Sequence, residues 1–183
     1  MTAAPPPGGD RVQVRAITAA DHAAVLALNA AEVPRVGPLA PAELPPLLAH
    51  TDLALVAELA GRIVGFVLAM PPGRSYASPN YRFFEARGTD HLYVDRIATA
   101  PDLRRRGVAT ALSDAVEERA RATGRTEVTC EVNVRPPNPG SQAFHQARGF
   151  IEVGRQDTGG GALTVALLAK SVTPAGTNQG RVP

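Results

Sequence analysis

The sequence predicts one domain of the mixed α/β class, and three observations predict it. Segments of period-2 alternation are interleaved with segments of helical period. A 3.6-period apolar stripe follows directly on a strand through a Gly-led turn. The chain has 183 residues, 44% of them hydrophobic, which suits a single sizeable core. Residues 1–10 and 171–183 are rich in Pro, Gly and small polar side chains. Neither end buries enough apolar surface to offset its ordering entropy, so both are expected as disordered tails around a folded domain at residues 11–170.

Within that domain, residues 12–17 read as a strand and 20–31 as a helix with Asp21 in its first turn and Val25 and Leu28 on one face. Pro34, Gly37 and Pro38 end it. Residues 41–49 read as a second short helix, with Pro41 in a first turn where its missing N–H costs nothing. Residues 53–59 and 63–70 flank Ala60-Gly61-Arg62 and are expected as an antiparallel hairpin. Residues 71–90 read as a long irregular connection. It holds Tyr76, Tyr81, Phe83 and Phe84, half of the tyrosines and phenylalanines in the chain, together with Arg74, Arg82 and Arg87. A connection of that length and content is more often functional than a spacer, and the alternative is a flap over the core edge. Tyr81, Phe83 and Tyr93 are the candidate substrate-binding residues.

The next strand, residues 91–99, points Leu92, Val94 and Ala98 to one face and Tyr93, Asp95, Ile97 and Thr99 to the other. Arg104-Arg105-Arg106-Gly107-Val108-Ala109 then leads into a helix at 108–122, whose stripe is Val108, Ala111, Leu112, Ala115 and Val116. The first amides of such a helix lack intrahelical partners and lie at the positive end of its dipole, a ready site for phosphate oxygens. No Lys-Ser or Lys-Thr follows the glycine and no Gly-x-Gly-x-x-Gly follows a strand, which disfavours both common nucleotide-binding folds.

Residues 126–134 alternate between Val128, Cys130, Val132 and Val134 on an apolar face and Glu127, Thr129, Glu131 and Asn133 on a polar one. Cys130 is therefore expected as an inert buried thiol. Asn138 is placed to cap a helix at 139–148, with Pro139 first and Gly149 just past the end. Residues 151–157 and 162–170 close the chain as two strands around Thr158-Gly159-Gly160-Gly161.

The formal charge of +2 gives no global field for nucleic acid or membrane, and no apolar run reaches spanning length. A single cysteine excludes a disulfide framework and a cysteine-based zinc cluster, and no metal is expected. A soluble cytoplasmic protein fits best.

The run Leu92-Tyr93-Val94-Asp95-Arg96-Ile97-Ala98-Thr99-Ala100-Pro101, continued by Arg104 to Ala109, strongly resembles motif A of the Gcn5-related N-acetyltransferase (GNAT) superfamily. Glu131, Asn138, and Phe144-His145 with Gly149-Phe150 resemble its second motif. The element order matches from about residue 12 to 170. The resemblance implies a GNAT-like acyl-CoA N-acyltransferase fold, with a mixed, mostly antiparallel sheet, a splayed parallel pair and flanking helices. It also implies acetyl-CoA as co-substrate and transfer of acetyl to a primary amine acceptor by direct attack.

By matching positions, the main chain of Ile97, Ala98 and Thr99 would pair with pantetheine. Arg104, Arg105, Arg106, Gly107, Val108, Ala109 and Thr110 would surround the pyrophosphate. Asn138 matches a position that bonds the cofactor arm, and as a helix cap it has a purely local alternative. Glu131 and Asp95 are the candidate bases, with solvated or ion-paired carboxylates as the alternative. His145, two turns beyond Asn138, stands where many members carry a tyrosine acid. Ala109 departs from the usual second glycine of the motif. A non-catalytic acyl-CoA-binding regulatory module would keep the same cofactor residues. Relatives are often dimers, so the resemblance allows a homodimer.

Overall fold

The computed structural model describes residues 11–174. The tail expected at 1–10 and most of the one expected at 171–183 lie outside the described residues. The strands are β1 (Gln13–Ala16), β2 (Leu53–Leu59), β3 (Arg62–Met70), β4 (His91–Thr99), β5 (Glu127–Arg135), β6 (Ile151–Thr158) and β7 (Leu163–Ser171). The α-helices are α1 (His22–Ala31), α2 (Leu44–His50), α3 (Pro79–Ala86), α4 (Val108–Ala122) and α5 (Pro139–Ala147). The strands form one mostly antiparallel sheet in the order β1-β2-β3-β4-β5-β7-β6, with β4 and β5 as the parallel pair. No described helix is long and apolar enough to cross a membrane.

The expectation that fails is the structureless connection at 71–90. Ser78-Pro79 starts a helix there: the Ser78 side chain accepts from the Tyr81 amide, and Pro79 takes a first-turn position. Tyr81 and Phe84, three apart, are the buried residues of that helix. The chain also stays ordered past the expected end at Lys170, since Ser171 pairs with Glu127 and the buried Val172 donates its amide to the Thr126 carbonyl.

The chain divides into two compact units. Among the described residues, one comprises those up to Leu68 with Arg96–Ala115, and the other comprises Ala69–Asp95 with those from Val116 on. In the first, Arg15 grips Asp21 with two bonds of 2.7 and 2.9 Å, and the Thr18 amide donates to the same carboxylate. Those bonds hold the Asp21 carboxyl below its ordinary range, against the opposing effect of burial. They fix the entry to α1. The first turns of α4 lie on the sheet at Gly65, whose added Cβ would meet Val108 Cγ1 at 2.8 Å, and the Ala98 carbonyl and Leu112 Cδ1 at 3.1 Å. The apolar stripe of α4 therefore approaches the strands through the space a side chain would fill.

In the second unit, Cys130, Val132, Ala166 and Leu168 form a core cluster with Val94, Val134 and Phe150 against it. Cys130 is free and buried, and burial pushes its thiol well above the ordinary range, as the alternation of β5 predicts. Glu117 is a buried acid held by Arg148 at 2.6 Å, Lys170 at 2.7 Å and Arg121 at 3.0 Å. Burial opposes its ionisation, but the bonds from Lys170 and Arg148 outweigh it and hold the carboxyl below its usual range.

Substituting Gly65→Ala tests the approach of α4. The added methyl meets a backbone carbonyl that cannot swing away, so the variant is expected to lose about 1–3 kcal/mol in chemical denaturation. An unchanged midpoint and slope would contradict this packing.

Candidate active site

In the first unit the functional segment starts where β4 ends. Ala98 is buried, with Ile97 and Thr99 half-buried, and the Ala100 amide ties the strand's exit to the Val64 carbonyl at 2.8 Å. A short 3-10 turn at Pro101–Leu103 follows, held by a two-bond pair between Arg62 and Asp102. Arg105 then takes φ +64° and Gly107 φ +78°. A left-handed arginine carries a steric penalty of about 1–2 kcal/mol, which marks the turn as a backbone shape held by its surroundings. Two left-handed residues around Arg106 turn the chain into α4, at whose start the Ala111 amide donates to the Gly107 carbonyl at 2.9 Å. The amides of Val108, Ala109 and Thr110 occupy the positions that a helix leaves unpaired.

The three arginines of the turn are exposed and not equivalent. Arg104 donates to Glu32 at 3.4 Å, and Glu32 also accepts from Arg35. Among the described residues neither Arg105 nor Arg106 has an acidic partner. This donor set fits a phosphate-bearing group: a positive helix end, free amides and two uncommitted guanidinium groups.

In the second unit each of the expected bases is held by a tyrosine hydroxyl. The Tyr93 hydroxyl donates to Glu131 Oε2 at 2.8 Å, and the Tyr76 hydroxyl donates to Asp95 Oδ1 at 2.8 Å. The Asn80 side chain favours the ionised form of Glu131 and the Ser78 side chain that of Tyr93, each against a larger effect of burial. Burial raises the Glu131 carboxyl to about 8, and the neighbouring Asp95 charge adds to the effect. Burial likewise pushes the Tyr93 hydroxyl well above 10, so it stays a donor. The polar face of β5 is thus covered, with Thr129 and Asn133 buried alongside the half-buried Glu131. Glu131 is not a solvated strand residue.

Asn138 is the N-cap of α5: its side-chain oxygen accepts from the Ser141 amide at 3.4 Å, and its own amide bonds the Asn133 carbonyl at 3.1 Å. In the last turn of the helix, His145 is buried between the Phe144 and Phe150 rings. Its Nδ1 lies 2.8 Å from the Ser141 carbonyl, which assigns the hydrogen to Nδ1. Burial lowers its pKa below 6.5, and Arg148 adds to that against the Ser141 bond. At neutral pH the ring is therefore uncharged, with a bare Nε2. An uncharged ring with the hydrogen on Nδ1 is in the protonation state of a proton acceptor at Nε2.

Two expected acceptor contacts also change meaning. Tyr81 is only 1% exposed, and its hydroxyl donates to the Pro71 carbonyl and accepts from the Arg74 amide, both at 2.8 Å. It staples the connection to α3 from within the core, so it does not form an open substrate wall. Phe83 lays its ring on Gly154, where an added Cβ would come within 2.7 Å of it. Tyr93 does stand with the carboxyls. Tyr76, through its bond to Asp95, is the member that sequence reasoning does not place there.

Comparison with known proteins bears on the family and the fold. The profile described as the acetyltransferase (GNAT) family matches residues 25–150. No curated protein sequence matches. Among solved structures, Ard1 from Thermoplasma volcanium is similar at a TM-score of 0.72 and 18% identity, covering 88% of this chain and 97% of its own. The ribosomal-protein-S18-alanine N-acetyltransferase from Escherichia coli is similar at 0.68 and 17%, covering 92% and 98%. The NatC complex bound to Gag peptide and CoA is similar at 0.69 and 13%, covering 88% and 99%. A profile match over most of the chain, on the fold these structures share, establishes that the chain belongs to the acetyltransferase (GNAT) family and is an acyl-CoA-using acyltransferase.

Proposed function

We infer that the protein transfers acetyl from acetyl-CoA to a primary amine, with Glu131 as the proton acceptor. Acetyl-CoA, when bound, supplies an acetyl group already activated as a thioester. The amides of Gly107 to Thr110 and the side chains of Arg105 and Arg106 hold its diphosphate, and the main chain of Ile97 to Thr99 aligns its arm. Arg104 contributes through its place in the turn, since its guanidinium is engaged with Glu32. A solved relative by fold is described with CoA bound, which supports the choice of carrier.

The observation that carries the reading is Glu131: a carboxyl raised to about 8 by burial beside Asp95, and oriented by the Tyr93 hydroxyl. An amine acceptor arrives mostly as an ammonium ion and attacks only after losing a proton. A base that titrates near working pH combines a useful ionised fraction with enough basicity to take that proton, directly or through one water. The neighbouring Asp95 raises Glu131 further and so strengthens it as a base. His145 receives no acid role here, and the proton for the departing sulfur comes from water.

The test is thiol release from acetyl-CoA over a panel of small amines, amino acids, aminoglycosides and peptides with free N-termini. A carboxyl that must be ionised to act gives kcat/KM that rises with pH through about 8. Glu131→Gln is expected to lower the rate at least ~100-fold and to abolish that rising limb. A variant that keeps the wild-type rate and profile would remove Glu131 from the mechanism.

A further inference from the structure

The buried face of α3 meets the one ring whose hydroxyl holds Glu131. Tyr81 and Phe84 each set a ring against the Tyr93 ring of β4, with centroids 5.5 and 5.7 Å apart and planes inclined by 69° and 41°. All three side chains are shut off from solvent. A tyrosine enclosed in this way has little freedom about its side-chain bonds, so its neighbours decide where its hydroxyl lies. That hydroxyl donates to Glu131 Oε2 at 2.8 Å.

Of the two rings on α3, Tyr81 is the one that is itself fastened. Its hydroxyl donates to the Pro71 carbonyl and accepts from the Arg74 amide, both at 2.8 Å. Packing alone is served by a phenylalanine, as at Phe84, whereas a buried hydroxyl is costly unless it finds partners. The two bonds to the connection fix the far end of the ring that Tyr93 leans on. The Tyr76 ring rests on the same Tyr81 ring at 5.8 Å and 74°, and the Tyr76 hydroxyl donates to Asp95. Tyr81 therefore touches both tyrosines whose hydroxyls hold the two carboxyls.

We propose that Tyr81 is a positioning residue for the Glu131 carboxyl, acting through the Tyr93 ring and held for that task by its own hydroxyl bonds to Pro71 and Arg74. This rests on the reading of Glu131 as the base. A hydrogen bond weakens steeply as its length and angle leave their optimum, so a Tyr93 ring free to shift would hold the carboxyl less well. A donated hydrogen bond also favours the ionised carboxylate, so a weaker one raises the pH at which Glu131 ionises. The titratable groups around Glu131 are Tyr93 and Asp95 on β4 and Cys130 beside it on β5, while β7 sets Leu167 against it.

The experiment compares the full-length wild type with Tyr81→Phe, which keeps the ring and loses the hydroxyl, and Tyr81→Leu, which loses the ring. Each is also made in a Tyr93→Phe background, and folding of all is checked by circular dichroism. One readout is the titration of the Glu131 carboxyl carbon by nuclear magnetic resonance, identified by its loss in Glu131→Gln. The other is kcat and KM with acetyl-CoA and the amine of the panel turned over fastest.

The carboxyl midpoint is expected to move up in both Tyr81 variants, more in Tyr81→Leu. kcat is expected to fall on the order of tenfold in Tyr81→Leu, the effect of one hydrogen bond to a charged group, and by less in Tyr81→Phe. KM for acetyl-CoA stays unchanged, and neither substitution changes midpoint or kcat further once the Tyr93 hydroxyl is gone. An unmoved midpoint, or equal losses of kcat with and without that hydroxyl, would overturn the positioning role and leave the base intact. Full activity of Glu131→Gln itself would overturn the base, and this proposal with it.

Discussion

A backbone constraint underlies the first unit: Arg105 and Gly107 are both left-handed, and Arg105 pays for it without the freedom of a glycine. The turn keeps that shape because it is pinned on either side. Asp102 is tied to Arg62 on β3, Arg104 to Glu32 just past α1, and the first turns of α4 rest in the groove that Gly65 leaves open. Preorganisation of this kind matters for anion binding, because a turn already held in shape leaves little ordering to do on association. The two arginines without acidic partners then lie on a fixed frame.

The second unit solves a different problem, keeping a carboxyl out of water without losing its chemistry. The Asp95 charge lies close enough to oppose ionisation of Glu131, and each of the two carboxyls accepts from a tyrosine hydroxyl. The outcome for Glu131 is the reverse of that for Glu117, which is also buried but surrounded by cations. The two acids also act oppositely on stability. Glu131, with a raised pKa, contributes stability below its ordinary value and loses it as pH rises through about 8. Glu117, with a lowered pKa, contributes above its ordinary value and loses that contribution as pH falls. A fold that spends stability on Glu131 at neutral pH is consistent with a site kept for function.

Much of this was legible in the sequence because the signals were periodic. The stripe from Val108 to Val116 and the alternation of β5 gave their elements, and Asn138-Pro139 gave the start of α5. The turn at Arg105 was legible through its position between a strand and a helix. The helix α3 was missed although Ser78-Pro79 announces it, since an eight-residue helix in a Pro- and Arg-rich stretch shows too little periodicity to stand out. Tyr81 misled for a related reason: aromatic content does not distinguish a core staple from a pocket wall, and only its two backbone bonds decide. The state of His145 depends on burial between two rings and on the Ser141 carbonyl, and the bond from Tyr93 to Glu131 joins residues far apart in sequence. Neither leaves a local trace.

The account turns most directly on whether the Arg105 to Thr110 turn holds the diphosphate of the acyl carrier. Calorimetric titration of CoA into the wild type and into Gly107→Glu, with folding of both verified by circular dichroism, measures it. A carboxylate at that point and a side chain at φ +78° both oppose an anion on the same amides. The account predicts saturable binding by the wild type and a loss of at least tenfold in the variant. Equal affinity in two folded proteins, or no binding by the wild type, would contradict it.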